Sequence, residues 1–135
     1  MYADSYAVKE TLTDKIRQCK DGVIDNPYQG THKKVLFVCS AGILRSATAA
    51  RMYAHRYNTR CAGTGLEYAL VPLSERLMDW ADEIVFVHQW NYDNAAFSFN
   101  LTPYKDYITV LNIPDQHEHM AEDLIKEFEE QYEQR

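Results

Sequence analysis

Basic residues are in short supply: 14 Lys and Arg stand against 20 Asp and Glu, for a net charge of −6. A chain with that balance lacks the basic stripe that tracks a nucleic-acid backbone, so no nucleic-acid partner is expected. Much of the acidity falls after Asp115, which leaves room for a local basic pocket elsewhere. Cysteine is scarce too. Cys19, Cys39 and Cys61 are an odd number with no close pair, which argues against a disulfide framework and for reduced thiols. The absence of CxxC removes a zinc ribbon or a thioredoxin motif. No apolar run approaches the roughly 20 residues that span a bilayer, so no membrane partner is expected. The opening MYADSYAVKE lacks a basic patch followed by an apolar stretch. No secretory signal is therefore expected, and a cytoplasmic location is the default. Repeats and low-complexity tracts are missing as well.

What is present is an ordinary globular mixture, 46% hydrophobic and 25% charged over 135 residues. That length supports one compact domain with its own core. Residues 1–31 read as an N-terminal extension, partly helical, ahead of a domain over 32–135. Val8, Leu12 and Ile16 share one face of a predicted helix over 8–19. Gly22, Asn26-Pro27 and Gly30 read as loop.

From Lys34 the pattern changes. KVLFV over 34–38 is a continuous apolar run, as in a parallel strand buried on both faces. A loop with Gly42 follows, and Ser46 opens a predicted helix, SATAARMYAHRY. Further strands are expected over 59–62, 83–87 and 107–111. Helices are expected over 73–80, with Ser74 as cap, and over an amphipathic tail from about 118 to 134. Residues 90–99 fit a helix or an irregular excursion. In the tail, Met120, Leu124, Phe128 and Tyr132 form one face. Alternating strands and helices imply a three-layer α/β/α fold with a four-stranded parallel sheet. Ligands of such folds bind at the carboxyl ends of the strands, and Cys39 stands at one.

The segment Cys39-Ser-Ala-Gly-Ile-Leu-Arg45-Ser46 carries the chemistry. Five residues between Cys39 and Arg45 let the loop curl so that sulfur and guanidinium face one point. The backbone N–H groups of Ser40, Ala41, Gly42, Ile43 and Leu44 can form an anion nest. The following helix adds its positive end. Together these suit a tetrahedral dianion, and the same field favours the nucleophilic thiolate. Arg45 offers a planar fork for two phosphate oxygens. The Ser46 hydroxyl is placed to hydrogen-bond the sulfur. Gly42 permits a left-handed backbone at mid-loop.

VLFVCSAGILRSATAARMYA resembles the signature of low-molecular-weight protein tyrosine phosphatases, in which a strand leads into C-x-G-N-x-C-R-S and then a helix. Cys61-Ala-Gly-Thr64 resembles the S-A-G-T that ends that family's second strand, and Trp80-Ala-Asp-Glu-Ile-Val85 resembles its third-strand entry. The likeness runs from about Lys33 to the C terminus. It is closest to a short bacterial branch with an I-P-D tail, here Ile113-Pro114-Asp115. The resemblance implies a phosphatase of that fold acting through a phosphocysteine, without metal or cofactor. Cys39, Arg45 and Ser46 carry over directly. Ala41 stands for the family glycine, Gly42 for its asparagine and Leu44 for its second cysteine.

Cleavage of a phosphate ester needs a proton for the leaving oxygen. Asp115, after the fourth strand and behind Pro114, is the expected general acid, with Glu118 as fallback and helix capping as its alternative role. His88 and Trp90, after the third strand, are possible substrate contacts; core packing is the competing reading for Trp90 and Tyr92. Cys61 is expected to be a buried structural thiol, and His32 and His55 to face solvent. His117 and His119 alternate without a clear third ligand, so no metal site is expected. The expected partner is a phosphorylated protein, phosphotyrosine above all, or a small phosphoester. A non-catalytic module that binds phosphate or a phosphoprotein is the main alternative. Arsenate reduction is weaker, because no cysteine follows Cys61 to resolve an arsenic adduct.

Overall fold

The computed structural model describes residues 32–42, 45–69, 71–114 and 122–133. The extension over 1–31, with its expected helix, lies outside the described residues. So do Ile43, Leu44 and the stretch from Asp115 to Ala121, with Glu118 and the two histidines. Among the described residues, no helix is long and apolar enough to cross a membrane.

Four strands form one all-parallel sheet in the order β2-β1-β3-β4. β1 (Lys34–Cys39) is central, and Val35 to Val38 are each 0% exposed. Burial on both faces explains why the run is apolar throughout and does not alternate. β2 (Asn58–Gly63) pairs on one side, with Cys39 opposite Gly63. β3 (Glu83–Phe86) pairs on the other, and β4 (Ile108–Val110) is outermost.

Helix α1 (Arg45–Met52) links β1 to β2, α2 (Glu75–Trp80) links β2 to β3, and α3 (Gln89–Ser98) links β3 to β4. A 3₁₀ helix over Thr102–Tyr107 and the C-terminal α4 (Glu122–Gln131) complete the set. The chain leaves β1 outward to β2, then steps back across β1 to β3. Right-handed crossovers in opposite directions put α1 on one face and α2 and α3 on the other. α4 packs beside α1. The result is the expected three-layer arrangement, with a switch of direction between β1 and β3.

Local chemistry accounts for the element ends. Ser74 Oγ accepts from Leu77 N at 3.2 Å and caps α2, so the helix starts at Glu75 and not at Leu73. The expected helix over 46–57 stops at Met52. The chain tightens into i→i+3 bonds, Ala54 N to Arg51 O and Arg56 N to Tyr53 O, and reaches β2 when Asn58 N bonds Lys33 O. Residues 89–98 are helical, which decides between the two readings of that stretch. In α4, Leu124 and Phe128 are fully buried and Tyr132 packs on the core, so the expected face forms where it is described. Phe37, Tyr53, Phe128 and Tyr132 make an aromatic cluster between β1, α1 and α4. Cys61 is 0% exposed in β2.

Candidate active site

At the carboxyl end of β1 the chain turns over the sulfur of Cys39. Gly42 N donates to Cys39 Sγ at 3.2 Å, and Ser46 Oγ lies 3.1 Å from the same sulfur. As a thiol, Cys39 donates to that hydroxyl; as a thiolate, it accepts from it. The thiol is 2% exposed and Ser46 0%.

The loop is turned inside out relative to a solvated turn. Its outer carbonyls are spent on the segment after β2: Thr64 N donates to Cys39 O at 2.8 Å, and Gly65 N to Ser40 O at 2.9 Å. With those carbonyls held outward, the Gly42 N–H points to the inner side, as in an anion nest. Two glycines make this close approach possible. Gly42 has φ +76°, the left-handed region, and a Cβ there would stand 2.9 Å from the Ala62 carbonyl carbon. A Cβ on Gly63 would stand 2.5 Å from Ser40 O. Gly63 thus closes β2 and backs the loop.

Arg45 opens α1 and is 3% exposed. A buried guanidinium needs partners to offset lost hydration. Nη1 donates to Ile113 O at 2.9 Å, and Nη2 reaches Ser40 Oγ at 3.4 Å. Ile113 is held in turn, its N–H on Val87 O at 2.8 Å. The neighbouring Asn112 is gripped by Gln131 of α4 through both backbone groups, at 2.6 and 3.0 Å. Arg45 therefore bridges the β1 loop and the segment that leads to Asp115.

The predicted residues divide into three groups. Cys39, Ser40, Gly42, Arg45 and Ser46 come together, and Ala41 sits half-buried between them. His88 and Trp90 stand at the start of α3. There His88 Nδ1 accepts from Trp90 N at 3.1 Å and caps the helix, and the two rings approach to 4.5 Å. Trp90 is 68% exposed, so it is not a core residue, while Tyr92 packs edge-on against Phe86. Ile43, Leu44 and Asp115 lie outside the described residues.

Two residues went unread. Asn91, 1% exposed, donates from Nδ2 to Ser40 Oγ at 3.1 Å. Thr64 Oγ1 is buried beside the loop with no hydrogen-bond partner among the described residues. The sequence offers a signal for Thr64, its place just past a strand end, but none for Asn91, whose partner lies 51 positions away. Among the described residues, no group of three or more His, Cys, Asp or Glu could hold a metal ion.

No protein-family model, curated protein or solved structure matches this chain.

Proposed function

We propose that this chain is a cysteine-dependent phosphatase of the low-molecular-weight type, hydrolysing phosphomonoesters through a phosphocysteine, with phosphotyrosine as its substrate class. One observation carries the reading. A cysteine sulfur receives a glycine N–H and faces a serine hydroxyl, in a loop that ends on a buried arginine. A loop built only to bind phosphate needs the amides and the arginine but no sulfur at their centre.

The thiolate of Cys39 attacks phosphorus in line, and the ester oxygen leaves. Arg45 and the loop N–H groups balance charge on the equatorial oxygens. Ser46 holds the sulfur and eases its departure when water later attacks the phosphocysteine. Asp115 gives its proton to the leaving oxygen and then takes one from that water. Its assignment is supported by chain order: it follows Ile113, whose carbonyl Arg45 holds, by two residues. The segments after β2 and β3 that bond Ser40 also carry exposed aromatic rings, Tyr68 and Trp90, 65% and 68% exposed. Exposed rings on these segments suit an aryl phosphate.

The test is p-nitrophenyl phosphate hydrolysis under reducing conditions. Wild type is expected to turn over and Cys39→Ser to be inactive with an unchanged melting temperature. Asp115→Asn is expected to lose about 10²-fold in kcat, within the range of general-acid catalysis. A reduced wild type that is inert across pH 5–8 but binds vanadate would instead identify a phosphate-binding module.

A further inference from the structure

One contact at the switch between β1 and β3 joins segments that no motif connects. Asn91, in the first turn of α3, donates from Nδ2 to Ser40 Oγ. Ser40 Oγ also accepts from Arg45 Nη2. The other amide atom, Asn91 Oδ1, is buried and has no hydrogen-bond partner among the described residues. An orphaned buried amide oxygen costs stability that an apolar side chain of the same size would not, so its presence asks for a reason.

The geometry of Arg45 supplies one. Its Nη1 rests on a backbone carbonyl, Ile113 O, which the sheet fixes. Its Nη2 rests on a hydroxyl, which can rotate among three staggered positions unless something holds it. Asn91 is the described group that holds it. With both points fixed, the plane of the guanidinium is set before any ligand arrives.

We infer that Asn91 is a positioning residue that locks the Ser40 hydroxyl and, through it, orients Arg45 toward a phosphoryl group. The inference rests on the phosphatase reading. It predicts a split between stability and activity. Asn91→Leu removes the orphaned oxygen at similar volume, so its melting temperature stays at or above wild type. Its kcat/KM for p-nitrophenyl phosphate falls about tenfold, short of the ~10²-fold that a 1 Å misplacement costs. Ser40→Ala falls by a similar factor, and the double variant falls no further than either single one, because both act through one contact.

Vanadate affinity, measured on the same four proteins, separates the two ideas. If wild type binds vanadate but does not turn over, the phosphatase reading fails. The positioning role then stands or falls on whether Asn91→Leu weakens vanadate about tenfold, a misplacement short of 1 Å. Wild-type kcat/KM and vanadate affinity in Asn91→Leu would overturn the role, as would double-variant losses that multiply. A fall in melting temperature that tracks the loss of activity would make Asn91 merely structural. A wild type that neither hydrolyses the ester nor binds vanadate overturns both ideas together.

Discussion

The two ends of the parallel sheet use their buried polar groups in different ways. At the amino end, Glu83 accepts from Lys33 Nζ at 2.9 Å, Tyr132 Oη at 2.8 Å and Thr109 Oγ1 at 2.7 Å. Each charge there has an opposite charge or a donor facing it. At the carboxyl end, Arg45 donates to Ile113 O and Ser40 Oγ. Asn91 Oδ1 and Thr64 Oγ1 are buried with no hydrogen-bond partner among the described residues. A polar end that closes on itself adds stability; one that leaves capacity unspent is arranged for a ligand. Perturbing the carboxyl end should therefore cost activity beyond its cost in stability. Perturbing the amino end should cost stability alone.

The strongest way to break this contrast is to push the loop off its backing. Gly63→Ala places a Cβ 2.5 Å from Ser40 O, 2.7 Å from Ala41 C and 2.8 Å from Ala69 Cβ. The first two are backbone atoms, so the loop itself has to shift. We expect a loss of about 10²-fold in kcat/KM for a displacement near 1 Å. The accompanying loss of stability is about 1–3 kcal/mol, typical of overpacking. Aryl phosphate kinetics and urea unfolding on one preparation check both. Full activity at reduced stability would show that loop position does not limit the chemistry.

The strands and helices were legible because they rest on local pattern. KVLFV marks β1 to within one residue, since a run buried on both faces has no polar position to blur it. Ser74 marks the start of α2 because a cap is a local bond. The meeting of Cys39 and Ser46 was legible because both belong to one short loop in sequence. The need for glycine at Gly63 was not legible, because what demands it is the backbone of Ser40 across a strand pair. Asn91 was invisible for a similar reason. QWNYDN reads as a polar helix start, and only the strand order brings it against the β1 loop. Trp90 fitted either the core or a substrate contact in sequence, and helix geometry leaves it outside the core.

At the other end, Glu83→Gln removes the charge that three donors face. One donor is left against an amide NH₂, so the loss is about 2 kcal/mol. Urea unfolding should show it while kcat/KM of the folded protein stays constant. Burial pulls the Glu83 pKa upward, but the hydrogen bonds from Thr109, Lys33 and Tyr132 and the charge of Lys33 outweigh it. The net result is a carboxyl below its ordinary 4.5. The unfolded chain therefore takes up the proton first as pH falls. Stability is present in full above pH 4.5 and declines as pH drops toward the folded value. Glu83→Gln should flatten this acid limb. Tyr132 behaves in the opposite sense: burial and the charge of Glu83 raise its pKa above 10. Stability should therefore fall once pH exceeds 10, as the unfolded chain ionises first.

The smallest expected effect is the sharpest control. Lys33, Arg56, Tyr57, Glu83, Tyr132 and Glu133 line a cavity of about 320 Å³ at the amino end. Arg56 pairs with Glu133 at 3.4 Å, with side chains 48% and 36% exposed, and lies over the Tyr57 ring at 5.3 Å. Pairs this exposed contribute at most about 0.5–1 kcal/mol, and salt screens them. Arg56→Ala should lower stability by about 0.5 kcal/mol at low ionic strength, with the difference shrinking in high salt. Its kcat/KM should match wild type under both conditions, because β1 carries the Cys39 loop at one end and this cavity at the other. Unfolding and turnover followed across a salt series decide the point. A change in turnover that tracks the salt-dependent change in stability would mean that the two ends communicate through β1. The contrast between a closed amino end and an open carboxyl end would then fail as a guide to which residues act on substrate.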